Sequence, residues 1–187
     1  MVKDKEDILS PERRIRMYEA RDAMLNRINP EVCDMFLQAT VEELAKTMQV
    51  DRCDLVVCRD RDALRVDYEF RVDPSCPSSL HDGLPLPRAA LEELLEREAD
   101  GSFAPIAVAD LEAEALPQAV RDLGGSLGTR AMLIVPITFH KGLLAVIGLH
   151  HFQRGYRWSE EEVSFVKSLA LQLSIAFEYT RLYTAME

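Results

Sequence analysis

The chain has 187 residues, of which 48% are hydrophobic, and its formal net charge is −10 at pH 7. This length and composition are typical of one domain with helical extensions, because two full domains of ordinary size need more residues. The acidic surplus repels phosphate backbones and anionic bilayers, which excludes nucleic acid as a partner.

The sequence also indicates the cellular compartment. No apolar run reaches the length of a membrane span, and residues 1–6 lack the apolar core of a signal peptide. Its cysteines form no CxxC pair and show no zinc-type spacing; they are Cys33, Cys53, Cys58 and Cys76. We therefore expect a cytoplasmic protein with reduced thiols, no metal site and no membrane insertion.

Two helices are predicted before the first strand. The first begins at Ser10-Pro11-Glu12, where an N-cap residue precedes proline and an acid, and it runs through residue 28 without glycine or proline. The second begins with the same signal at Asn29-Pro30-Glu31 and runs to about Gln49. Its apolar residues at helical spacing are Val32, Met35, Phe36, Ala39, Leu44 and Met48.

The middle of the chain combines a hairpin with a lid. Residues 53–58 form a predicted strand, and residues 64–70 alternate polar and apolar side chains after a charged turn. Residues 73–87 are rich in Pro, Ser and Gly, and residues 88–95 form a short amphipathic helix. We expect residues 73–123 to act as a mobile lid.

The remaining elements lead into a long terminal helix. They are a strand at 104–108, a helix at 116–123 ended by Gly124-Gly125-Ser126, and two apolar strands at 130–137 and 143–149 joined by a tight turn. Ser159 and Glu162 form a capping box for the terminal helix. The predicted fold class is α+β, with a central antiparallel sheet of five to six strands. Terminal helices cover one face and short lid helices cover the other.

The last third of the chain resembles the end of a GAF domain, a PAS-related family of sensing and dimerising modules. The residues that carry the resemblance are Val135-Pro136-Ile137, Lys141-Gly142, Val146-Ile147-Gly148-Leu149, Arg157-Trp158-Ser159-Glu160-Glu161-Glu162, and 169–176 on the terminal helix. The expected organisation is a dimerisation helix in residues 1–29, a GAF-like domain in 30–183, and a linker from 184–187 to a downstream output module.

The resemblance implies a non-catalytic sensory domain of a bacterial signal-transduction protein, such as a two-component system. Its small-molecule pocket would lie between sheet and lid, and its output would be a histidine kinase or a cyclic-dinucleotide enzyme. The cyclic-nucleotide motif Asn-Lys-Phe-Asp-Glu is absent, and Cys76 is followed by Pro77 where bilin-binding members have Cys-His. The cofactor is therefore left open. Alternatives are a redox enzyme of the free-methionine-sulfoxide-reductase type and a ligand-free dimerisation module.

Eight residues are candidates for the pocket: Tyr68, Phe70, Arg88, Phe103, Asp110, Arg130, Thr138 and His150. Arg88 and Arg130 together suit a carboxylate or phosphate, and the alternative is that each pairs with a nearby acid. His150 and His151 point to opposite faces of a strand. One of them is a candidate haem ligand or hydrogen-bonding group, unless it is only a strand-end histidine. The aromatic residues have a core role as their alternative.

The terminal helix carries two apolar stripes. One stripe, from Val163 to Phe177, is predicted to pack on the sheet. The other is predicted to form a homodimer with the first helix, through Ile15, Tyr18, Leu25, Ile175, Tyr179, Leu182 and Met186. The alternative is that residues 179–186 are a frayed linker.

Overall fold

A computed structural model describes residues 30–58, 64–80, 84, 87–113 and 115–184. The elements are α1 (Pro30–Met48), β1 (Arg52–Val57), β2 (Tyr68–Arg71), α2 (Arg88–Leu94), β3 (Ile106–Val108), α3 (Gln118–Ser126), β4 (Ala131–Phe139), β5 (Gly142–His151) and α4 (Glu160–Thr184). The predicted helix at residues 10–28 lies outside the described residues, as do the side chains of Tyr179, Leu182 and Met186.

The five strands form one sheet in the order β2-β1-β5-β4-β3, and every neighbouring pair is antiparallel. Strands β4 and β5 form a long hairpin, and together with β1 they occupy the centre of the sheet. The hairpin turn consists of His140 and Lys141, whose φ angles are 47° and 65°. Two positive φ angles in a two-residue loop are the geometry that matches the right-handed twist of the paired strands.

The long helices cover one face of the sheet, as predicted. The inward stripe of α4, represented by Val166, Ala170 and Leu173, is buried in one cluster with Leu133 and Ile147 of the central strands. On α1 the buried side agrees with the predicted one at Leu44 and Met48, and it differs at Met35, Phe36 and Ala39. Met35 and Phe36 are exposed, and the residues that pack on the sheet are Leu37, Val41, Leu44, Ala45 and Met48.

The lid elements cover the other face. Leu91 of α2 and Val120 of α3 belong to a second buried cluster with Met132, Ile134 and Val146 of the sheet. The two clusters account for the two layers on either side of the sheet. Among the described residues, no helix combines the length and apolar character that crossing a bilayer requires.

Two predicted boundaries are wrong. Helix α3 continues through Gly124 to Ser126, and the absence of a side chain at Gly124 leaves room for Leu111. Strand β2 begins only at Tyr68. Asp67 interrupts the predicted strand, since its carboxylate accepts a hydrogen bond from Val57 N at 2.8 Å. Val66, before this break, therefore packs on the lid side, whereas Tyr68 packs on the helix side.

Candidate ligand-binding site

Three charged or polar side chains lie buried on the lid side of the sheet, and we call them the buried polar group: Arg52, Asp54 and His150. Strand pairing brings them together, because Arg52 is opposite His150 and Asp54 is opposite Gly148. Residues two apart on a strand share a face. Arg52 and His150 are 0% exposed and Asp54 is 3% exposed.

The Asp54 carboxylate lies between the two basic side chains. Its Oδ2 is 3.2 Å from Arg52 Nε and 2.9 Å from His150 Nε2. These are ion-pair distances, but neither contact has the direction of a hydrogen bond, so Asp54 Oδ2 and both His150 ring nitrogens lack a hydrogen-bond partner among the described residues. Buried polar atoms of this kind are costly and rare in cores that serve packing alone.

Gly148 creates the space for this arrangement. A methyl group on its Cα would overlap Asp54 Oδ1 and lie 2.5 Å from His150 Nε2. The missing side chain on β5 thus lets the carboxylate lie flat against the strand. The glycine is required here for close approach.

Arg52 also joins the sheet to two separate segments, which we call the lid segments: residues 73–80, within the predicted lid, and residues 127–130, which follow α3. Its Nη1 donates to Pro77 O at 3.0 Å and its Nη2 donates to Leu127 O at 3.1 Å. The guanidinium carbon lies 5.0 Å from the centre of the Phe152 ring. A single buried side chain therefore holds both segments over the sheet.

The first lid segment is fastened from outside as well. Arg71 of β2 donates to Pro74 O at 2.9 Å and to Cys76 O at 2.8 Å. Glu69 accepts from Ser79 N at 2.7 Å. These contacts hold the segment to the edge of the sheet, so it has an outer attachment at Arg71 and an inner one at Arg52.

The structure does not bring the predicted arginine pair together. Arg88 Nη2 donates to Leu143 O at 2.8 Å, near the start of β5, whereas Arg130 N donates to His151 O at the end of that strand. Eight strand residues separate these positions by about 26 Å. Each arginine instead pairs with a nearby acid, which was the alternative given by the sequence. Arg88 Nε lies 2.9 Å from Glu92, and Arg130 Nε lies 2.7 Å from Asp110.

The Arg130 and Asp110 side chains form a two-bonded pair. Arg130 Nε and Nη2 donate to the two carboxylate oxygens at 2.7 and 3.0 Å. This guanidinium lowers the pKa of Asp110, and the carboxylate raises the pKa of Arg130. Arg130 Nη1 is also 2.9 Å from Glu112. The geometry is that of a structural ion pair beside the sheet.

Two predicted aromatic candidates lie on the opposite face from the lid. Tyr68 is buried with the α1 and α4 residues, and its hydroxyl is bonded to Asp34. Phe70 packs against the same cluster. Both residues therefore serve the core, the alternative that the sequence left open for them.

Phe103 and Thr138 line a separate cavity of about 410 Å³. It lies between the 98–105 segment, β4 and α4, and its lining includes the ion pair of Lys167 Nζ and Glu98, which are 3.1 Å apart. Thr138 is six residues along β4 from Met132, the residue opposite His150. The β4 residues that line the cavity therefore lie between about 10 Å (Val135) and about 20 Å (Thr138) along the strand from Met132.

Of the two neighbouring histidines, His150 faces the lid and His151 faces the long helices. The His151 ring lies 4.6 Å from the Tyr156 ring and 5.8 Å from the Trp158 ring. Burial lowers its pKa, a shift that nearby Asp51 opposes. No group of three or more potential metal ligands occurs among the residues that the structure describes.

The described cysteines do not cluster. Cys53 is buried on the helix side and Cys58 on the lid side, while Cys76 lies in the first lid segment. Burial raises the pKa of Cys58 to about 12, and it also raises the pKa of Cys53 and Cys76. These protonated thiols are poor nucleophiles.

Arg52 and Asp54 were missed as site residues by the sequence analysis. They lie in a strand whose other members, Cys53 and Leu55, are apolar and buried. A charged residue on each side of a buried cysteine was the available signal, because the period of a strand places both charges on one face.

The structure is an α+β domain: a five-stranded sheet lies between two helical layers, and charged side chains are buried on its lid side. The chain belongs to the GAF domain family, whose model matches residues 33–177. The resemblance and the predicted fold class are thereby confirmed. No curated protein matches this chain.

Solved structures agree in fold. The GAF domain of PixJ from Thermosynechococcus elongatus, in its blue-light-absorbing form, is 18% identical with a TM-score of 0.68, over 82% of this chain and 89% of that one. The phycoerythrobilin-bound GAF domain of a cyanobacterial phytochrome is 17% identical with a TM-score of 0.68, over 94% and 98%. GAF3 of Slr1393 from Synechocystis sp. PCC6803, in its photoproduct state, is 18% identical with a TM-score of 0.65, over 83% and 99%.

Proposed function

We propose that this chain is a sensory domain of a bacterial signal-transduction protein. It binds a small molecule between the sheet and the lid and passes the change through α4 to an output module. One observation carries the proposal: a charged group is buried beneath two lid segments that the group itself holds closed. Such a group costs stability unless something recognises it, and clusters of this kind are found preferentially at functional sites.

A chain of contacts supports relay from the lid to α4. Leu127, which accepts from Arg52, leads into Thr129, and the Thr129 hydroxyl donates to Ala131 O at 2.8 Å and to His151 O at 3.1 Å. His151 in turn packs on Trp158, immediately before α4. Release of Leu127 would therefore disturb His151 and Trp158, which pack just before α4. In this proposal, α4 is the element that moves between two positions.

The ligand is held without a covalent bond. Bilins are bound in some of the solved neighbours, but neither α2 nor α3 of this chain contains a cysteine. The thiol on the first lid segment, Cys76, is followed by proline and has a raised pKa. We therefore propose a reversible ligand, and the scattered protonated thiols offer no support for the alternative redox function.

Native mass spectrometry of the freshly purified chain tests this proposal. We expect a small molecule that is retained under native conditions and lost on denaturation. Arg52→Met should lose it, because the lid segments lose their inner attachment, whereas the control Lys46→Met, at an exposed position of α1 outside the lid, should keep it. If the wild-type chain carries no additional mass and its melting temperature does not change in a bacterial small-molecule extract, the sensory proposal is wrong.

A further inference from the structure

Strand β4 is longer than the strand that borders it at the edge of the sheet. β3 pairs with β4 only as far as Ile134, whereas β4 continues to Phe139. The chain just before β3 turns aside and pairs with residues 96–98 instead, where Ala104 N donates to Glu96 O at 2.7 Å. The second half of β4 therefore has β5 as its only strand neighbour among the described residues.

Backbone groups in this half of β4 are directed away from β5. Along an antiparallel strand, the N–H and C=O groups of successive residues point alternately to the two sides. Cys58 N donates to Leu144 O at 2.8 Å, so the even-numbered residues that follow on β5, among them Val146, bond to β1. Pro136 lies opposite Val146, and the backbone groups of Pro136 and Thr138 therefore point to the outer edge. A proline, which has no N–H, is tolerated at such an edge.

The segment that faces β4 across the gap also directs a backbone group away from its own partner. Ser102 O accepts from Glu98 N at 2.8 Å, and Ala104 N bonds to Glu96. Phe103, between them, therefore turns its N–H and C=O to the other side. Phe103 and Thr138 both line the cavity of about 410 Å³ described above. An extended peptide matches two such walls, because it carries N–H and C=O groups along both of its edges.

The charges of the lining favour a basic side chain. The cavity is lined by two carboxylates, Glu98 and Asp100, and by one ammonium group, Lys167. Glu98 pairs with Lys167 at 3.1 Å, so one negative charge remains, that of Asp100. Hydrogen bonds from Ser102 Oγ and N, at 2.6 and 2.8 Å, lower the pKa of Asp100, and nearby Lys167 lowers it further. Asp100 is therefore ionised at neutral pH.

We propose that this cavity binds an extended peptide segment of a partner protein that carries a lysine or arginine. The segment adds a short strand beside Pro136 and Thr138 and places its basic side chain against Asp100. Main-chain hydrogen bonds supply the affinity, and the basic side chain supplies the selectivity. The site lies at the β4 edge and not at the buried polar group, so it does not depend on the proposed sensory function.

Three pentapeptides test the proposal. The first is acetyl-Thr-Val-Lys-Val-Thr-amide, the second is N-methylated at its second and third residues, which blocks one N–H on each edge, and the third has glutamate in place of lysine. Each is titrated into the full chain while the amide signals of Ser102, Thr138 and Ser168 are followed by NMR, with Arg71 on β2 as the reference. We expect the first peptide to shift the three signals and leave that of Arg71 unchanged. Its apparent Kd should be at least about tenfold lower than that of the N-methylated peptide and at least about threefold lower than that of the glutamate peptide.

Two matched variants test the charge. Asp100→Asn should bind the lysine and glutamate peptides equally, and it should still bind the N-methylated peptide weakly, because the strand edge is unchanged. Asp73→Asn is the control: Asp73 Oδ1 accepts from Ser75 N at 2.8 Å, as Asp100 does from Ser102, but it lies in the first lid segment. This control should keep the wild-type preference for lysine.

The proposal is overturned if the N-methylated peptide binds as tightly as the first one, if wild-type protein does not distinguish lysine from glutamate, or if no peptide shifts the Thr138 signal. Changes of the Thr138 and Ser168 signals with protein concentration alone would show that a second copy of the chain occupies this edge, and the proposal would then also be wrong. None of these outcomes bears on the small molecule sought by native mass spectrometry.

Discussion

At the scale of single residues, Gly148 shows how a missing side chain creates a polar site. We predict that Gly148→Ala lowers the free energy of unfolding by about 1–3 kcal/mol, because the added methyl group overlaps Asp54 and displaces His150. Urea denaturation measures the change. Gly125→Ala is the control: it has nothing within 4 Å and lies in α3, so we expect a gain of up to about 1 kcal/mol. Equal effects of the two changes would contradict the close approach at Gly148.

His151 makes stability depend on pH. Burial lowers its pKa in the folded protein below the ordinary value of 6.5. As pH falls below 6.5, the unfolded chain takes up a proton that the folded chain resists, so the free energy of unfolding should fall until the pH reaches the lowered folded pKa. Above 6.5 this contribution is fully present.

Urea denaturation at about pH 7.5 and about pH 5.5 tests this prediction. The protein has a single tryptophan, and Trp158 lies 5.8 Å from the His151 ring, so its fluorescence reports unfolding. We expect His151→Phe to lose part of the wild-type decrease in stability. His140→Asn, which removes an exposed histidine, should retain the decrease. An unchanged pH dependence in His151→Phe would refute the assignment.

At the scale of elements, the start of α4 depends on its capping box. Ser159 Oγ accepts a hydrogen bond from Glu162 N at 3.2 Å, and Glu162 accepts one from Ser159 N at 2.8 Å. Ser159→Ala should lower the free energy of unfolding by about 1 kcal/mol. Thermal unfolding measures this change. Ser168→Ala, in the exposed middle of the same helix, should be neutral or slightly stabilising. If Ser159→Ala and Ser168→Ala change the stability equally, the capping box does not stabilise α4.

The same helix shows why some elements were predictable. Its cap and its inward stripe are local signals, since residues three or four apart share one helical face. The late start of β2, at Tyr68 instead of residue 64, was not predictable. Asp67 interrupts the predicted strand, because its carboxylate accepts a hydrogen bond from Val57 N on β1. The contact depends on chain pairing that no local pattern records.

At the scale of the whole molecule, α4 exposes apolar side chains that the domain itself does not cover. Leu171 and Ile175 are 67% and 53% exposed and lie one helical turn apart. We predict a homodimer in which Leu171→Glu with Ile175→Glu raises the dimer Kd at least about tenfold, because burying two carboxylates opposes association. Light scattering after size-exclusion chromatography measures it.

Val72→Glu is the matched control for this prediction. Val72 is 57% exposed but follows β2 at the opposite edge of the sheet from β3. The control should dimerise like wild type and remain folded. A wild-type monomer, or a dimer that the α4 changes leave intact, would show that this surface has another role.

The sequence by itself determined the elements and their layers. Helical and strand periodicities, the capping box and the apolar hairpin follow from neighbouring residues, so the α+β sandwich could be predicted from them. The family was predicted from the resemblance of the last third of the chain to GAF domains. The tertiary structure alone decided which polar residues meet. Arg52 and His150 are far apart in the chain, and only the register of β1 against β5 places them together. The tertiary structure also decided that Arg88 and Arg130 do not meet, because they bind to opposite ends of β5.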